Sequence, residues 1–437
     1  MEKQKWQPLP RQGVRARIGI CSDLHVCEAY PSREKLGAVF SAFYQLAPQL
    51  DAAAFVGDLT DCGNAQQYAA LRRFTAEYTA GHRGTTGAPT QILYCMGNHD
   101  TFEPGVHRAQ AVFAAQTGQN PCELTWVNLV PVIKLAPGPN AEDDYTGCYS
   151  FLKRSLYAAA SKVPGLPIFV LAHHGIRGTA YATDEWYGNY GEGTEHDLVR
   201  LLQQYPQVIH VSGHSHAVLE DERSIDQSLG FTAIQDSTAG AYFENETGKQ
   251  DPETGEPATV PPFGQEACQA LLADVLASGK VVVHRLNLTA GRFCAAPWEI
   301  DIPALLQAKK AGQPLCFPYT PGRTGTAPVF LPDARARLQF ERADTAAVQF
   351  PRAWPADTGA CSRVQAYRIQ LLREDGGEPV CRWIFSDIYR REQREDWCVR
   401  VKTAVPFQGT WRVQVCAATA FGQLSEPLCS PAVDAVL

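Results

Sequence analysis

The chain has 437 residues and a formal net charge of −7, with 45% hydrophobic and 19% charged residues. This length exceeds what one hydrophobic core usually supports, so two domains are expected, and the composition excludes a disordered chain. Non-specific nucleic-acid binding draws on clustered Lys and Arg, and the sequence has no basic stripe. A polynucleotide partner is therefore disfavoured.

The opening residues, MEKQKWQPLPRQGVRARIGICSDLHV, contain no apolar run long enough for a signal peptide, and no later run is long enough to cross a bilayer. We therefore expect a cytoplasmic protein with no membrane partner. Fourteen cysteines are scattered without the spacing of a disulfide framework. Most of them are expected to be reduced and buried.

From Arg17 onward, short apolar runs alternate with longer segments of helical periodicity, which predicts a layered α/β domain. The expected strands are RIGICS, AAAFVG, QILYCMG, PIFVLA and QVIHVSG, and the expected crossover helices are REKLGAVFSAFYQL, NAQQYAALRRFTAEY and EHDLVRLLQQY. After His216 the pattern changes to two strand-like stretches, FTAIQDS and KVVVHRLNL.

A stretch rich in Gly and Pro, from about Leu305 to Pro328, interrupts this pattern. Beyond it, VQAYRIQLL, VCRWIFS, WCVRVKTAV and TWRVQVCAATAFG alternate as short strands and predict a small all-β sandwich. Trp411 to Gly422, followed by LSEP, resembles a fibronectin type III module. We expect an α/β catalytic domain over residues 1–305, a linker over 306–328 and the β-sandwich over 329–437. The sequence indicates no partner for the sandwich.

Five polar segments each follow an apolar run of the α/β domain. They are Asp23-Leu24-His25, Gly57-Asp58, Gly97-Asn98-His99-Asp100, His173-His174 and Gly213-His214-Ser215-His216. Ligand groups converge at the carboxyl ends of strands in such sheets, so side chains far apart in sequence can meet there. Carboxylate, amide and imidazole groups suit manganese, iron or zinc.

Asp58 is expected to bridge two divalent cations, because it stands alone at a strand end and a carboxylate can reach both ions. The other metal ligands are expected to be Asp23, His25 and His216 for one cation, and Asn98, His173 and His214 for the other. Two cations roughly 3.5–4 Å apart can share a water and lower its pKa, so the expected nucleophile is a metal-bound hydroxide.

His99 is the candidate general acid, because it adjoins a ligand without belonging to the cluster and could protonate a departing alkoxide. Asp100 is the second catalytic candidate, expected to fix the tautomer and orientation of His99. His173 is preferred to His174 as a ligand because it comes directly after an apolar run. The aromatic stretch Glu185–Gly193 could contribute to a substrate pocket or be an ordinary surface loop.

In this order the five segments resemble the calcineurin-like metallophosphoesterase superfamily, whose pattern is D-x-H, G-D, G-N-H-[DE], H and G-H-x-H. The resemblance spans roughly Arg17 to Leu288. It implies a four-layer α/β/β/α sandwich and carries the roles above onto the same positions. GDLTD and GNHD are most similar to the branch containing class III cyclic nucleotide phosphodiesterases. Asp61 replaces the Tyr of purple acid phosphatases, and His173-His174-Gly175 departs from the usual H-x-P.

The resulting hypothesis is a metal-dependent phosphoric ester hydrolase acting on a small phosphoester, with diester cleavage favoured over monoester cleavage. Cyclic nucleotides, nucleotide esters and phospholipid head groups all remain open as substrates. One alternative is a binding or adhesion protein with a vestigial metal site, although every ligand position is filled. A nuclease is the other alternative, disfavoured by the acidic charge balance.

Overall fold

The computed structural model describes residues 6–28, 32–244 and 246–435. The first five residues of the predicted catalytic domain and the last two of the predicted β-sandwich lie outside the described residues. The chain forms two compact units. The first comprises residues 1–219, 223–243 and 265–320, and the second comprises residues 220–222, 244–264 and 321–437.

The first unit contains thirteen strands and six helices among its described residues. Its strands are β1 (Val14–Cys21), β2 (Ala52–Val56), β3 (Gln91–Cys95), β4 (Glu123–Val127), β5 (Val130–Lys134), β6 (Ile168–Leu171), β7 (Val208–Ser212), β8 (Ile225–Asp226), β9 (Thr232–Gln235), β10 (Gln269–Leu276), β11 (Val281–Asn287), β12 (Arg292–Phe293) and β13 (Trp298–Ile300). Its helices are α1 (Ser32–Leu46), α2 (Ala65–Thr79), α3 (Val106–Thr117), α4 (Tyr149–Lys162), α5 (Leu198–Leu202) and α6 (Ile302–Lys310).

These strands form two sheets. The seven-stranded sheet has the order β12-β11-β10-β1-β2-β3, with β13 paired to β11, and the six-stranded sheet has the order β4-β5-β6-β7-β9-β8. β1, β2 and β3 are parallel neighbours, with Ile18 opposite Ala52 at the start of the first pairing. β6 and β7 are parallel neighbours in the other sheet. The carboxyl ends of these five strands therefore supply two sets of adjacent loops.

The first unit has four layers of secondary structure, and apolar side chains fill the three spaces between them. Ile18 of β1 and Val56 of β2 pack with Phe169 of β6 in the core between the sheets. The outer face of the first sheet packs against α1, α2 and α3, and the outer face of the second packs against α4 and α5. Because the central strands are buried on both faces, they read as continuous apolar runs. The predicted α/β/β/α sandwich is confirmed.

The second unit is a β-sandwich, and the predicted small all-β domain is confirmed. Its strands are β14 (Arg337–Arg342), β15 (Thr345–Pro351), β16 (Ala366–Arg373), β17 (Val380–Phe385), β18 (Asp396–Lys402), β19 (Thr410–Ala418), β20 (Leu428–Cys429) and β21 (Val433–Asp434). One sheet has the order β14-β15-β18, and the other has the order β17-β16-β19-β20 with β21 paired to β19. Val348 and Val399 of the first sheet pack with Ile369 and Val415 of the second.

The second unit also contains a segment from the middle of the chain, residues 244–264. This segment lies between β9 and β10 in sequence, inside the predicted catalytic domain. The amide of Gln250 donates to the carbonyl of Trp383 at 2.9 Å, and the amide of Arg400 donates to the carbonyl of Pro252 at 2.8 Å. The second unit is therefore built from separated parts of the sequence.

All fourteen cysteines are free thiols, but only six are buried, so the expectation that most are buried is wrong. Four of them are exposed, and these are Cys316, Cys381, Cys398 and Cys429. Among the described residues, no helix combines the length and apolar composition needed to span a membrane.

Candidate metal centre

The seven predicted metal ligands lie beyond the carboxyl ends of five strands. Asp23 and His25 follow β1, Asp58 follows β2, Asn98 follows β3, His173 follows β6, and His214 and His216 follow β7. Three of these strands are neighbours in one sheet and two are neighbours in the other. The two-sheet architecture therefore gathers residues from across about two hundred positions of sequence.

Five of the seven residues have a left-handed backbone. Their φ values are 53° at Asp23, 42° at His25, 46° at Asp58, 65° at His214 and 47° at His216. They make up half of the ten non-glycine residues with positive φ in the described parts of the chain. Such conformations cost about 1–3 kcal/mol each and cluster at functional sites. The strain marks these strand ends as a site under functional constraint.

Two groups of three candidate ligands meet near Asp58, and a third group, His25, Asp58 and His99, includes the candidate general acid. Asp23, His25 and His216 have potential ligand atoms within 4.8 Å of one another, and so do Asp58, His173 and His214. Asp58 Oδ2 lies 3.2 Å from Nε2 of His173 and 3.6 Å from Nε2 of His25. One carboxylate oxygen thus lies between the two groups.

Asn98 is buried at the start of a single helical turn, His99–Thr101. The amide of His99 donates to Asp58 Oδ1 at 2.9 Å, which ties this turn to the carboxylate. Gly97 allows the close approach, because a Cβ there would lie 2.1 Å from Asp58 Oδ1. The Gly-Asn-His sequence is therefore explained by packing as well as by chemistry.

The donor set fits divalent cations. Asn98 Oδ1 and His216 Nδ1 are buried, and neither has a hydrogen-bond partner among the described residues. Leaving such atoms unpaired costs free energy unless another group satisfies them. Two buried carboxylates with imidazole and amide donors match the preferences of manganese, iron and zinc.

The charges of the cluster are strongly coupled. Burial alone would raise the pKa of Asp23, but the imidazoles of His216 and His173 hold it well below its usual value. Burial opposes protonation of His25 and His173, yet the neighbouring carboxylates raise the pKa of His25 to about 10 and that of His173 to about 9. Cations that bind here would therefore compete with protons for these imidazoles.

His99 lies at the edge of the cluster. Its ring centroid is 4.3 Å from that of His25, and its side chain is 29% exposed. Nδ1 lies 3.0 Å from the backbone carbonyl of Asp61. A carbonyl only accepts hydrogen bonds, so Nδ1 carries a proton and Nε2 is the atom available for chemistry.

The expected orientation of His99 by Asp100 requires correction. The Asp100 carboxylate accepts hydrogen bonds from the amides of Leu59, Thr60 and Gly97, at 3.0–3.2 Å. It therefore holds together the loops after β2 and β3, while the carbonyl of Asp61 orients the His99 ring. Asp100 follows His99 in sequence, but its side chain is fully buried among these backbone amides.

Asp61 is a further functional candidate. From the sequence alone, this position was notable only because Asp replaces the Tyr of purple acid phosphatases. Its Oδ1 lies 3.3 Å from Nδ1 of His25, and its backbone carbonyl contacts Nδ1 of His99. A carboxylate behind a ligating histidine fixes the ring and raises its basicity. The signal available in the sequence was its position three residues after Asp58.

His174 points away from the two groups toward a buried tyrosine. Its Nδ1 lies 3.0 Å from the hydroxyl of Tyr145, and its ring centroid is 4.2 Å from that of His214. Burial and the neighbouring His214 hold the pKa of His174 well below its usual value. His174 thus packs behind His214, whereas His173 faces Asp58.

The stretch Glu185–Gly193 reaches the cluster. The ring centroid of Trp186 lies 6.0 Å from that of His214, and Arg177 lies over the exposed ring of Tyr187. The hydroxyl of Tyr190 donates to the carbonyl of His174 at 2.6 Å. This stretch therefore contacts the cluster through Trp186.

A two-sheet α/β sandwich with clustered carboxylate and imidazole donors at its strand ends is typical of metal-dependent hydrolases. Residues 16–218 match the family model described as calcineurin-like phosphoesterase. The family implies a phosphoester hydrolase with a dinuclear metal site. No curated protein matches the chain.

Solved structures similar to the chain are remote. The purple acid phosphatase PPD1 from yellow lupin seeds is 16% identical with a TM-score of 0.45, and the match covers 66% of this chain and 55% of the lupin protein. PhoD is 10% identical with a TM-score of 0.37, covering 63% and 67% respectively. A two-domain fibronectin type III segment of chicken tenascin is 12% identical with a TM-score of 0.17, covering 42% and 80%. The chain thus spans about half of the length of the lupin protein.

Proposed function

We propose that the chain is a dinuclear metal-dependent phosphodiesterase that hydrolyses a small phosphate ester. The observation that carries this proposal is the position of Asp58, whose Oδ2 lies between two groups of ligand atoms. Asp23, His25 and His216 would hold one cation, with Asn98, His173 and His214 on the other. Manganese, iron and zinc are the candidate metals.

The cations, when bound, would lower the pKa of a coordinated water toward neutrality and neutralise phosphate charge. The protein then has to supply a proton to the leaving oxygen. With Nδ1 held on the carbonyl of Asp61, Nε2 of a protonated His99 is the atom that can donate. This arrangement favours diesters, whose alkoxide leaving groups need protonation.

The first test is metal dependence of turnover. Protein stripped with a chelator and reloaded separately with manganese, iron or zinc is expected to hydrolyse an unactivated diester with about two ions bound per chain. Asp58→Asn is expected to lower both the bound metal and the turnover. His196→Gln, at an exposed position, serves as the matched control. Absence of turnover with every metal would favour a binding protein instead.

The second test concerns His99. His99→Ala is expected to lower kcat on an unactivated diester by about 100- to 10,000-fold, the usual contribution of a general acid. An aryl ester with a good leaving group should be affected much less, because its leaving oxygen needs no proton. Equal losses on both substrates would contradict the assignment. Single-stranded and duplex DNA included in the panel would reveal a nuclease.

A further inference from the structure

Two thiols lie in contact away from the metal centre. Sγ of Cys122 is 3.4 Å from Sγ of Cys148, although the residues are separated by 26 positions. Cys122 immediately precedes β4, and Cys148 ends the short helical turn before α4. Two secondary-structure elements are therefore brought together at one pair of sulfur atoms.

The surroundings give the two thiols different properties. Cys148 is buried, and its Sγ donates to the carbonyl of Ala136 at 3.2 Å, whereas Cys122 is only half-buried. The Cys148 thiol lowers the pKa of Cys122, and the ammonium of Lys134 acts in the same direction. The same contact and burial raise the pKa of Cys148. Cys122 is thus the more accessible partner.

We propose that Cys122 and Cys148 form a redox-active pair that closes to a disulfide when the protein meets a low-molecular-weight disulfide. The thiolate of Cys122 attacks one sulfur of the oxidant and releases one thiol. The sulfur of Cys148 then displaces the second thiol from Cys122 and loses its proton. Two protein thiols are oxidised and one external disulfide is reduced to two thiols.

The required movement is small. A disulfide has sulfur atoms about 2.0 Å apart, so the two sulfurs must approach by about 1.4 Å. The four exposed cysteines provide an internal comparison. Cys381 and Cys398, for example, lie on strands of different sheets in the second unit. They should form mixed disulfides with the oxidant.

The test uses the full chain incubated with oxidised glutathione, then blocked with an alkylating reagent and mapped by peptide mass spectrometry. The expected result is a Cys122–Cys148 cross-linked peptide and the loss of both thiols from alkylation, reversed by dithiothreitol. If both cysteines of the intact protein remain alkylatable, or each carries its own glutathione, the proposal is overturned. This measurement does not depend on phosphoesterase activity.

Variants separate the roles of the two thiols. In Cys148→Ala, Cys122 is expected to retain a mixed disulfide with glutathione, because no second thiol can displace it. In the matched control Cys398→Ser, the cross-link between Cys122 and Cys148 should form as in the wild type. Loss of the cross-link in the control would indicate a rearrangement through other cysteines and would also overturn the proposal.

Discussion

Asp61 contacts two imidazoles of the candidate metal centre through two different groups. Its carboxylate faces His25, whereas its backbone carbonyl holds His99. The carboxylate and the ring of His25 also influence each other electrostatically, since the hydrogen bond from His25 lowers the pKa of Asp61. A side-chain substitution therefore removes the support of His25 and leaves the support of His99 in place.

Asp61→Ala is expected to lower metal affinity or activity by about 10- to 100-fold, the usual effect of losing the carboxylate behind a ligating histidine. Asp61→Asn keeps a neutral acceptor and should lose less. Metal titration of the stripped protein by calorimetry checks this, with Glu195→Ala as control because that side chain is 88% exposed. Unchanged metal affinity in Asp61→Ala would contradict the role.

The buried position of His210 predicts that the folded protein loses stability in acid. It lies on β7, only 1% exposed, with Nε2 3.0 Å from the hydroxyl of Tyr190. Burial lowers its pKa from 6.5 to about 3. The unfolded chain therefore takes up a proton below about pH 6.5 while the folded chain stays neutral at this position. The stability contributed by this group is present above pH 6.5 and is lost as the pH falls toward 3.

The measurement is the pH dependence of unfolding. In this window His210 contributes a loss of up to about 1.4 kcal/mol per pH unit. His210→Gln, which cannot titrate, should give a shallower fall in unfolding temperature between pH 6.5 and 4 than the wild type. The exposed control His196→Gln should keep the wild-type slope. Equal slopes in all three proteins would show that His210 is not held neutral.

At the scale of single residues, the sequence predicted which metal-ligand candidates converge but not which side chains and carbonyls hold them in place. The donors could be inferred because their types and order are unusual together. The contacts of Asp61 and Tyr145 depend on how loops fold after their strands, and the correction at Asp100 has the same origin. Adjacent residues in a tight turn point in different directions, so neighbours in sequence need not be partners.

Packing between β1 and α1 depends on one small residue. Ile18 and Ile20 of β1 face the other sheet, and Gly19 faces the helix. A Cβ at Gly19 would lie 2.4 Å from the ring of Phe43. The helix can approach the sheet because this position carries no side chain.

Gly19→Ala is expected to destabilise the first unit by about 1–3 kcal/mol through overpacking. Phe43→Leu should relieve part of that loss when combined with it, so the double variant should be more stable than the sum of the single effects indicates. Urea unfolding provides the measurement. Gly165→Ala is the matched control, since its Cβ would meet open space; a similar loss there would refute the packing explanation.

Some of the long elements could be predicted, whereas α3, α4 and β10 were not. The expected helices near α1 and α2 and the five expected strands lie where the structure has them. The hairpin of β4 and β5 was missed because its turn, Asn128-Leu129, has positive φ at both residues without the usual glycine. The third expected helix forms only over Leu198–Leu202, capped by Asp197.

At the scale of the whole molecule, residues 244–264 belong to the β-sandwich unit although they precede it by more than fifty residues. Gln250 is 5% exposed and donates from Nε2 to the carbonyl of Arg400 at 2.8 Å. The hydroxyl of Tyr389 donates to the carbonyl of Pro262 at 2.7 Å. The sequence gives no sign that this segment belongs to the second unit, because the segment lacks hydrophobic periodicity and interrupts the alternation of strands and helices in the first unit.

Replacing residues 246–262 by a Gly/Ser linker in the full chain is expected to lower the unfolding temperature of the second unit, because these buried hydrogen bonds are lost. Metal binding by the first unit should be retained. Thermal unfolding and metal analysis of the same sample check both parts. Glu256→Ala, which removes one exposed ion pair with Lys402, should change little. An unchanged unfolding temperature in the linker variant would show that the segment is dispensable.

Because the second unit consists of separated segments, its parts are synthesised on the ribosome at different times. Residues 244–264 leave the exit tunnel well before β14 to β21 have been synthesised, whereas β10 to β13, the remaining strands of the larger sheet, follow directly after them. The nascent chain can therefore assemble its first unit while this segment still awaits its partners. Chaperone capture or proteolysis during synthesis would fall on residues 244–264 until translation reaches the last strands.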